Sequence, residues 1–185
     1  MDDDIPYLLL TPGPLTTTKT VKQAMLVDLS TWDRDYNDIV QEVRHALVNF
    51  ATQTDEYSCV LMQGSGSFSV ESTIGSVIPP TGKVLVVTNG AYGERICAMA
   101  ERLRIPLAAL RCEETEVPDA DQLRKMLKED PAISHVAIVH CETTTGVLNP
   151  IADLIPVAKE FGCEVILDAM SSFGGVPLSV DELGV

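Results

Sequence analysis

Apolar, β-branched runs alternate with helix-like segments along most of this chain, and that alternation limits the fold more than any other feature. Strands are predicted at residues 58–63, 83–89, 107–112, 135–141 and 164–169. Between them, helices are predicted at residues 68–77, 93–103, 120–128 and 152–161. Strands that alternate with helices form a parallel sheet covered by helices on both faces. The sequence therefore predicts an α/β fold with three αβα layers and a mostly parallel sheet.

The first fifty residues precede this alternation and have a different pattern. Residues 1–18 contain the turn sequence Thr11-Pro12-Gly13-Pro14 and are predicted to form an N-terminal arm. A longer amphipathic helix is predicted at residues 35–52. No repeat, low-complexity tract or Gly/Ser linker divides the rest of the chain, so residues 19–185 are interpreted as one domain.

Composition is typical of a globular protein and excludes several kinds of partner. The 185 residues are 45% hydrophobic, and 13 Lys+Arg against 27 Asp+Glu give a formal net charge of −14. Nucleic acid and anionic membranes need basic patches, so neither is expected as a partner. The five cysteines form no CxxC pair, so neither a disulfide framework nor a metal site is expected. The acidic start lacks the pattern of a secretion signal, which makes the cytoplasm the expected location.

Asp168 stands at the end of the apolar run Val165-Ile166-Leu167 and opens a loop of small residues. A carboxylate at that point lies at the carboxyl edge of the sheet, which is where ligands bind in open α/β proteins. The alternative is an aspartate that only caps the next turn. Further loops at the same edge favour the ligand-binding interpretation.

The loop Gln63-Gly64-Ser65-Gly66-Ser67 has the composition of a phosphate cradle. Glycines let the backbone approach an anion, and the start of the following helix offers free N–H groups. A plain tight turn is the alternative. The loop does not match GxxxxGK[ST], and the next strand ends in Thr88-Asn89 without the acid that a dinucleotide ribose requires. A different phosphate-bearing cofactor is therefore favoured.

Two more loops come directly after strand ends. Tyr92 lies between Gly90 and Gly93, where a ring can lie flat on a planar ligand or simply cover the loop surface. Thr143 begins a run of three threonines that suits a polar pocket, although hydroxyl-rich turns are common. Together the loops supply an anion cradle, a stacking ring, hydroxyl donors and a carboxylate. Pyridoxal 5'-phosphate (PLP), a flat heteroaromatic monophosphate whose ring nitrogen needs a carboxylate partner, would use all four.

Six motifs then carry a resemblance to a known family. They lie at residues 8–17, 31–37, 63–67, 89–95, 142–146 and 168–175. The sequence resembles the class V aminotransferases, which belong to the fold-type I PLP enzymes. The first two motifs, the second containing Trp32, are similar to the branch that moves the amino group of 2-aminoethylphosphonate to pyruvate, giving phosphonoacetaldehyde and alanine. The alternatives are a class V member of the alanine–glyoxylate or serine–pyruvate type, and a truncated product without catalytic activity.

The resemblance implies a role for each cofactor-binding residue. Ser65, Gly66 and Ser67 would hold the PLP phosphate, Tyr92 would stack on the ring, and Thr143 would donate to the ring hydroxyl.

The resemblance also implies roles around the reacting end of the site. Asp168 would pair with the pyridinium nitrogen as the catalytic carboxylate. Thr11, Pro12 and Gly13 would line the substrate entrance. The family works as a homodimer, with its active sites near the subunit interface.

One part of the family's site has no counterpart in this sequence. The family's Schiff-base lysine is expected after the aspartate motif, but no lysine follows Asp168. The chain's lysines are Lys19, Lys22, Lys83, Lys125, Lys128 and Lys159. Residues 19–185 are therefore interpreted as an incomplete PLP-binding large domain, with the C-terminal small domain absent. We expect the chain alone to lack transaminase activity and to be poorly soluble, because a sheet cut short leaves apolar surface uncovered.

Overall fold

The computed structural model describes residues 7–11 and 15–185 of the chain. Within those residues the helices are α1 (Lys19–Ala24), α2 (Arg34–Ala51), α3 (Gly66–Val77), α4 (Ala91–Arg102), α5 (Ala120–Glu129), α6 (Ile151–Glu160) and α7 (Val180–Leu183). The strands are β1 (Lys83–Thr88), β2 (Leu107–Arg111), β3 (Ile133–Val139), β4 (Cys141–Glu142), β5 (Val147–Leu148) and β6 (Glu164–Asp168).

The four longer strands form one parallel sheet in the order β2-β1-β3-β6. In the register of the central strands, Val86 of β1 is level with Ala109 of β2 and Ala137 of β3. On the other side of β3, Ile138 is level with Leu167 of β6. The predicted α/β fold with a mostly parallel sheet is confirmed. The β-branched residues of β1 and β3 suit strands that are buried on both faces.

Alternate side chains of the strands build two separate cores, one on each face of the sheet. Leu85 and Ile138 belong to the core that contains the buried faces of α5 and α6. Val84, Val86 and Ala137 point to the opposite face and belong to the core that contains the buried residues of α3 and α4. Because successive residues of a strand face opposite sides, two buried faces require the continuous apolar runs seen in the sequence.

The strand order reverses direction between β1 and β3. From β1 the chain crosses by α4 to β2 at one side, and it then returns by α5 to β3 on the other side of β1. In open α/β sheets the crevice at such a reversal, outside the carboxyl ends of the strands, is where ligands bind. The loop after β1 and the hairpin after β3 both begin at this point.

Residues 58–63 do not form the predicted strand. A strand is defined by its hydrogen-bond ladder to a neighbour, and no described strand pairs with this segment. The Cys59 carbonyl instead accepts a hydrogen bond from Nε of Arg44 at 2.7 Å, and Val60 is 75% exposed. Apolar, β-branched composition alone could not reveal the missing partner.

Two short structures lie outside the main sheet. β4 and β5 form an antiparallel hairpin in which Glu142 pairs with Val147, and its turn carries Thr143. In the N-terminal arm, Leu10 bridges Leu15, and the Leu9 N–H donates to Oγ1 of Thr16 at 2.6 Å. No helix within residues 7–11 and 15–185 is long and apolar enough to span a bilayer.

Candidate cofactor-binding site

A cavity of about 480 Å³ lies beside the carboxyl ends of β3 and β6. Seven of the site residues that the sequence predicts line it together: Thr11, Ser65, Gly66, Ser67, Tyr92, Thr143 and Asp168. The other two, Pro12 and Gly13, lie outside the described residues. Residues from distant parts of the sequence thus meet in one cavity, because parallel strands bring their carboxyl ends to the same edge.

The N-terminus of α3 forms one wall of the cavity. Ser65 caps the helix, and its Oγ accepts a hydrogen bond from the Phe68 N–H at 3.3 Å. No acceptor in the described part of the chain contacts the N–H groups of Gly66 and Ser67, the first two helical residues. Open N–H groups and the helix dipole make this end of α3 suitable for an anion. A Cβ at Gly66 would meet only the Met170 side chain, which is exposed and flexible enough to move aside.

Tyr92 lies in the first turn of α4, and Arg95 is one turn further along the helix. The Arg95 guanidinium carbon is 4.9 Å from the centroid of the Tyr92 ring, within the range of a cation–π contact. Arg95 also donates from Nη1 to Oγ of Ser67 at 3.1 Å. A cation therefore lies between the aromatic wall and the α3 terminus, and it too lines the cavity.

Asp168 closes the end of β6. Its Oδ1 accepts a hydrogen bond from the Met170 N–H at 3.0 Å, which fixes the carboxylate against the loop after the strand. Its Oδ2 accepts no hydrogen bond from any residue that the structure describes, so this oxygen is available to a ligand. The neighbouring hydroxyls of Thr143 and Ser171 are hydrogen-bonded to each other and also line the cavity.

Glu142 lies behind this wall and is fully buried. Its carboxylate accepts hydrogen bonds from the N–H groups of Tyr92, at 3.2 Å, and of Gly93, at 3.3 Å. On the hairpin itself, the Thr144 hydroxyl donates to Oε1 at 2.7 Å. The carboxylate thereby caps the N-terminus of α4 from a different element.

A buried amide pair supports the same region. Asn89 donates from Nδ2 to Oδ1 of Asn149 at 2.9 Å, and Asn149 donates back at 3.2 Å. Asn149 also donates to the Val139 carbonyl at 2.8 Å, which joins the loop after β1 to the end of β3.

Burial raises the pKa of the Cys97 thiol on α4 to about 11, so this thiol stays protonated and inert at neutral pH.

Sequence reasoning missed several residues that line or support the site: Arg95, Ser171, Glu142 and the pair of Asn89 and Asn149. The spacing of Tyr92 and Arg95, three positions apart on one helix, was a usable signal for the first of them. Nothing local signals the partners of Glu142, because its contacts with α4 span about 50 residues of sequence.

The arrangement defines an α/β protein with a cavity at the carboxyl edge of its parallel sheet. The family model described as "Aminotransferase class-V" matches residues 20–185, and the chain belongs to that family. The fold also matches the folds of solved aminotransferases.

Among curated proteins, the chain is similar to the 2-aminoethylphosphonate–pyruvate transaminase of Bacillus cereus. The two are 56% identical over 180 residues, which make up 97% of this chain and 52% of the relative. The protein of the same name from B. cereus strain G9842 is 57% identical over 97% of this chain and 49% of its own length. The chain thus spans about half the length of the curated relatives it matches.

Solved structures agree at lower identity. The alanine–glyoxylate aminotransferase of Nostoc sp. superposes with a TM-score of 0.88 at 30% identity, covering 100% of this chain and 49% of that protein. The ureidoglycine–glyoxylate aminotransferase of Bacillus subtilis superposes with a TM-score of 0.87 at 26% identity, over 95% of this chain and 45% of that protein.

Proposed function

We propose that this chain forms the cofactor-binding part of a PLP-dependent transaminase that moves the amino group of 2-aminoethylphosphonate to pyruvate. The observation that carries the proposal is the convergence of the α3 N-terminus, Tyr92, Thr143 and Asp168 on one cavity. The substrates are those named in the relatives at 56–57% identity.

The residues present fit PLP in kind and in arrangement. The open N–H groups of Gly66 and Ser67, together with the Ser67 hydroxyl, would hold the phosphate. Tyr92 would lie against the ring, and the free Oδ2 of Asp168 would keep the ring nitrogen protonated. When bound, PLP supplies an electron sink through which an amino group can pass between an amine and a keto acid.

The phosphate position is decided by which helix N-terminus is open. Both α3 and α4 begin near the cavity, and both have the partial positive charge that attracts an anion. The α4 terminus already has the Glu142 carboxylate on the N–H groups of Tyr92 and Gly93. A second anion there would be repelled, which supports the α3 terminus, beside Ser67 and the Arg95 cation, as the phosphate position.

No lysine is among the described residues that line the cavity. Two lysines are engaged elsewhere, since Lys83 of β1 contacts Asp130 at 2.6 Å and Lys159 of α6 contacts Glu164 at 3.0 Å. The described lining therefore offers groups that would bind and orient the cofactor, but no lysine amine that would bond it or move a proton. We expect the 185-residue chain to bind PLP reversibly and to show no transaminase turnover.

Equilibrium dialysis of the purified chain against PLP tests the cofactor assignment. Saturable binding that inorganic phosphate displaces is the expected result. Ser67→Ala should raise the dissociation constant about five- to tenfold, because one hydrogen bond to a charged group is lost. Ser76→Ala, an exposed serine later on the same helix, is the matched control and should bind as the wild type does. Absence of saturable binding by the wild type would overturn the proposal.

The donor specificity needs its own test, because the Nostoc structure makes alanine–glyoxylate transfer the competing activity. A protein that contains this chain together with the remaining length of its relatives would be assayed with 2-aminoethylphosphonate plus pyruvate and with alanine plus glyoxylate. Higher kcat/KM for the first pair supports the assignment. Higher kcat/KM for the second pair would assign alanine, rather than 2-aminoethylphosphonate, as the amino donor. The assignment of the cofactor site would not change.

A further inference from the structure

Glu142 is the only buried carboxylate among the residues that the structure describes. Removing a carboxylate from water is strongly unfavourable unless hydrogen bonds replace its hydration. Here backbone N–H groups of Tyr92 and Gly93 at 3.2 and 3.3 Å, and the Thr144 hydroxyl at 2.7 Å, provide that replacement. The start of α4 adds the favourable end of a helix dipole.

The surrounding backbone is shaped to admit this side chain. A Cβ at Gly90, the residue before α4, would lie 2.5 Å from Cδ of Glu142, which is closer than two carbons can approach. The φ of Gly90 is 176°, an extended value open to any residue, so space rather than backbone conformation requires glycine here. The absent side chain at position 90 is therefore the space that the Glu142 carboxylate fills.

The carboxylate joins the two elements that present ring-contacting side chains to the cavity. On one side, Glu142 directly precedes Thr143 on the hairpin. On the other, it holds the N–H of Tyr92, the aromatic residue, about 50 positions earlier in the chain. Moving this one side chain would change the position of the hydroxyl relative to the ring of Tyr92.

We infer that Glu142 is a positioning residue that holds Tyr92 and Thr143 at the spacing that a bound heteroaromatic ring requires. This inference builds on the proposed function, because the ring is that of PLP. The N–H groups of Gly66 and Ser67 and the Ser67 hydroxyl, which form the phosphate subsite at α3, make no hydrogen bond to Glu142. Loss of Glu142 should therefore weaken recognition of the ring and leave recognition of the phosphate intact.

Glu142→Gln tests the inference in the 185-residue chain. The amide keeps the shape and one acceptor oxygen, but it loses the negative charge at the start of α4. With its oxygen on the N–H groups of Tyr92 and Gly93, its NH2 group faces the Thr144 N–H, so that hydrogen bond is lost. The dissociation constant for PLP should rise about tenfold, since hydrogen bonds to a charged acceptor become weaker bonds to a neutral one and one of them is lost. Binding of inorganic phosphate, monitored by phosphorus NMR, should match the wild type. Glu101→Gln, an exposed substitution on α4, is the control. It should alter neither the binding of PLP nor the binding of inorganic phosphate.

Gly90→Ala displaces the carboxylate without changing its charge and should produce the same selective loss of PLP binding. Gly75→Ala is its matched control, because the added Cβ would meet only Leu103 Cδ1 at 3.5 Å. Should either test variant fail to unfold cooperatively, Thr144→Val removes a single hydrogen bond to Glu142 and should give a smaller loss of the same kind.

The outcomes separate the proposed function from the role of Glu142. If wild-type chain binds phosphate but not PLP, the proposed function fails and the inference with it. If the wild type binds PLP and folded Glu142→Gln binds it equally well, only the inference fails. An equal loss of PLP and phosphate binding would also overturn it, because that pattern shows general destabilisation rather than positioning of the ring contacts.

Discussion

Asp168 presents one engaged and one available carboxylate oxygen to the cavity, and that asymmetry makes a prediction about charge. Asp168→Asn keeps the contact from the Met170 N–H at the oxygen that replaces Oδ1. It removes the negative charge that would hold a protonated ring nitrogen. We expect the dissociation constant for PLP to rise at least about tenfold, the effect of losing a charged hydrogen bond. The dissociation constant is measured by titrating PLP with the chain and following the absorbance of PLP.

A second readout separates charge from shape in this variant. In the wild-type complex the ring nitrogen should stay protonated to higher pH than in free PLP, because the adjacent carboxylate favours the cation. In Asp168→Asn that difference should disappear. Asp38→Asn, an exposed change on α2, is the control for lost charge alone. A ring titration unchanged by Asp168→Asn would contradict the assigned role.

Gly93 makes a prediction about packing. A Cβ at this position would lie 2.5 Å from Cβ and 2.8 Å from Cα of Thr88, so the strand backbone itself would have to move. Gly93→Ala should lower the free energy of unfolding by about 1–3 kcal/mol, the range for overpacking. In contrast, Gly75→Ala, with its added Cβ in ordinary contact on an exposed helix position, should raise it by about 0.5–1 kcal/mol. Urea denaturation of both variants measures these changes in the free energy of unfolding. Equal changes in the two variants would contradict the packing argument.

Sequence reasoning identified the residues that face the cavity better than those that support them. Tyr92, Thr143 and Asp168 each lie at or just after a strand end, and a parallel sheet brings such positions together. Glu142 lies in a recognised motif, yet its cap on α4 depends on the distance between two loops about 50 residues apart. Periodicity gives no such distance. Arg95 is intermediate, because its helical spacing from Tyr92 was readable but its contact with Ser67 was not.

At the scale of elements, helix and strand assignments succeeded where each element is stabilised by neighbours within the chain. The predicted strand at residues 135–141 corresponds to β3, and the helix at residues 120–128 corresponds to α5. Residues 58–63 have equally apolar composition but no partner strand among the described residues. The short hairpin of β4 and β5 was missed because two-residue strands have no periodicity to detect.

An ion pair between elements predicts a pH dependence. Nζ of Lys83, at the start of β1, lies 2.6 Å from Oδ2 of Asp130, just before β3. The hydrogen bond from Lys83 holds the pKa of Asp130 below its ordinary value of 3.8. A depressed carboxyl pKa stabilises the folded state above the unfolded pKa, and this contribution is lost as pH falls through the folded pKa.

Lys83→Met should therefore lower the melting temperature at neutral pH. Its difference from the wild type should begin to shrink as the pH falls below about 4, and it should disappear once the pH is below the lowered pKa of Asp130 in the wild type, where this carboxyl is protonated in both proteins. Lys125→Met, an exposed change on α5, is the control and should show no such convergence. A difference that stays constant from neutral pH to pH about 3 would show that the ion pair contributes nothing to the effect.

At the scale of the whole molecule, two surface properties oppose each other. The formal net charge of −14 makes copies of the chain repel. Residues 19–36 nevertheless expose several large apolar side chains: Met25 at 71%, Leu26 at 81% and Trp32 at 93%. Exposed apolar surface of this kind favours association between proteins. We propose that copies of the chain associate through this N-terminal surface; the family resemblance implies a homodimer.

Salt should shift that balance in a measurable direction. Raising the ionic strength from about 0.01 M to about 0.1 M shortens the screening length from about 30 Å to about 10 Å and weakens the repulsion. Association should therefore increase with salt in sedimentation velocity. Trp32, the single tryptophan of the chain, should report it through a blue shift of its emission as the indole leaves water.

Leu26→Asp places a charge within the proposed surface and keeps Trp32 as the reporter. This variant should remain monomeric at the salt concentration at which the wild type associates, with its emission unshifted. Val60→Asp adds the same charge at another exposed position, 75% accessible and outside residues 19–36, and should associate as the wild type does. If both variants lose association equally, added charge alone accounts for the loss and the contact lies elsewhere. If the wild type associates without any change in Trp32 emission, the N-terminal surface is not the interface.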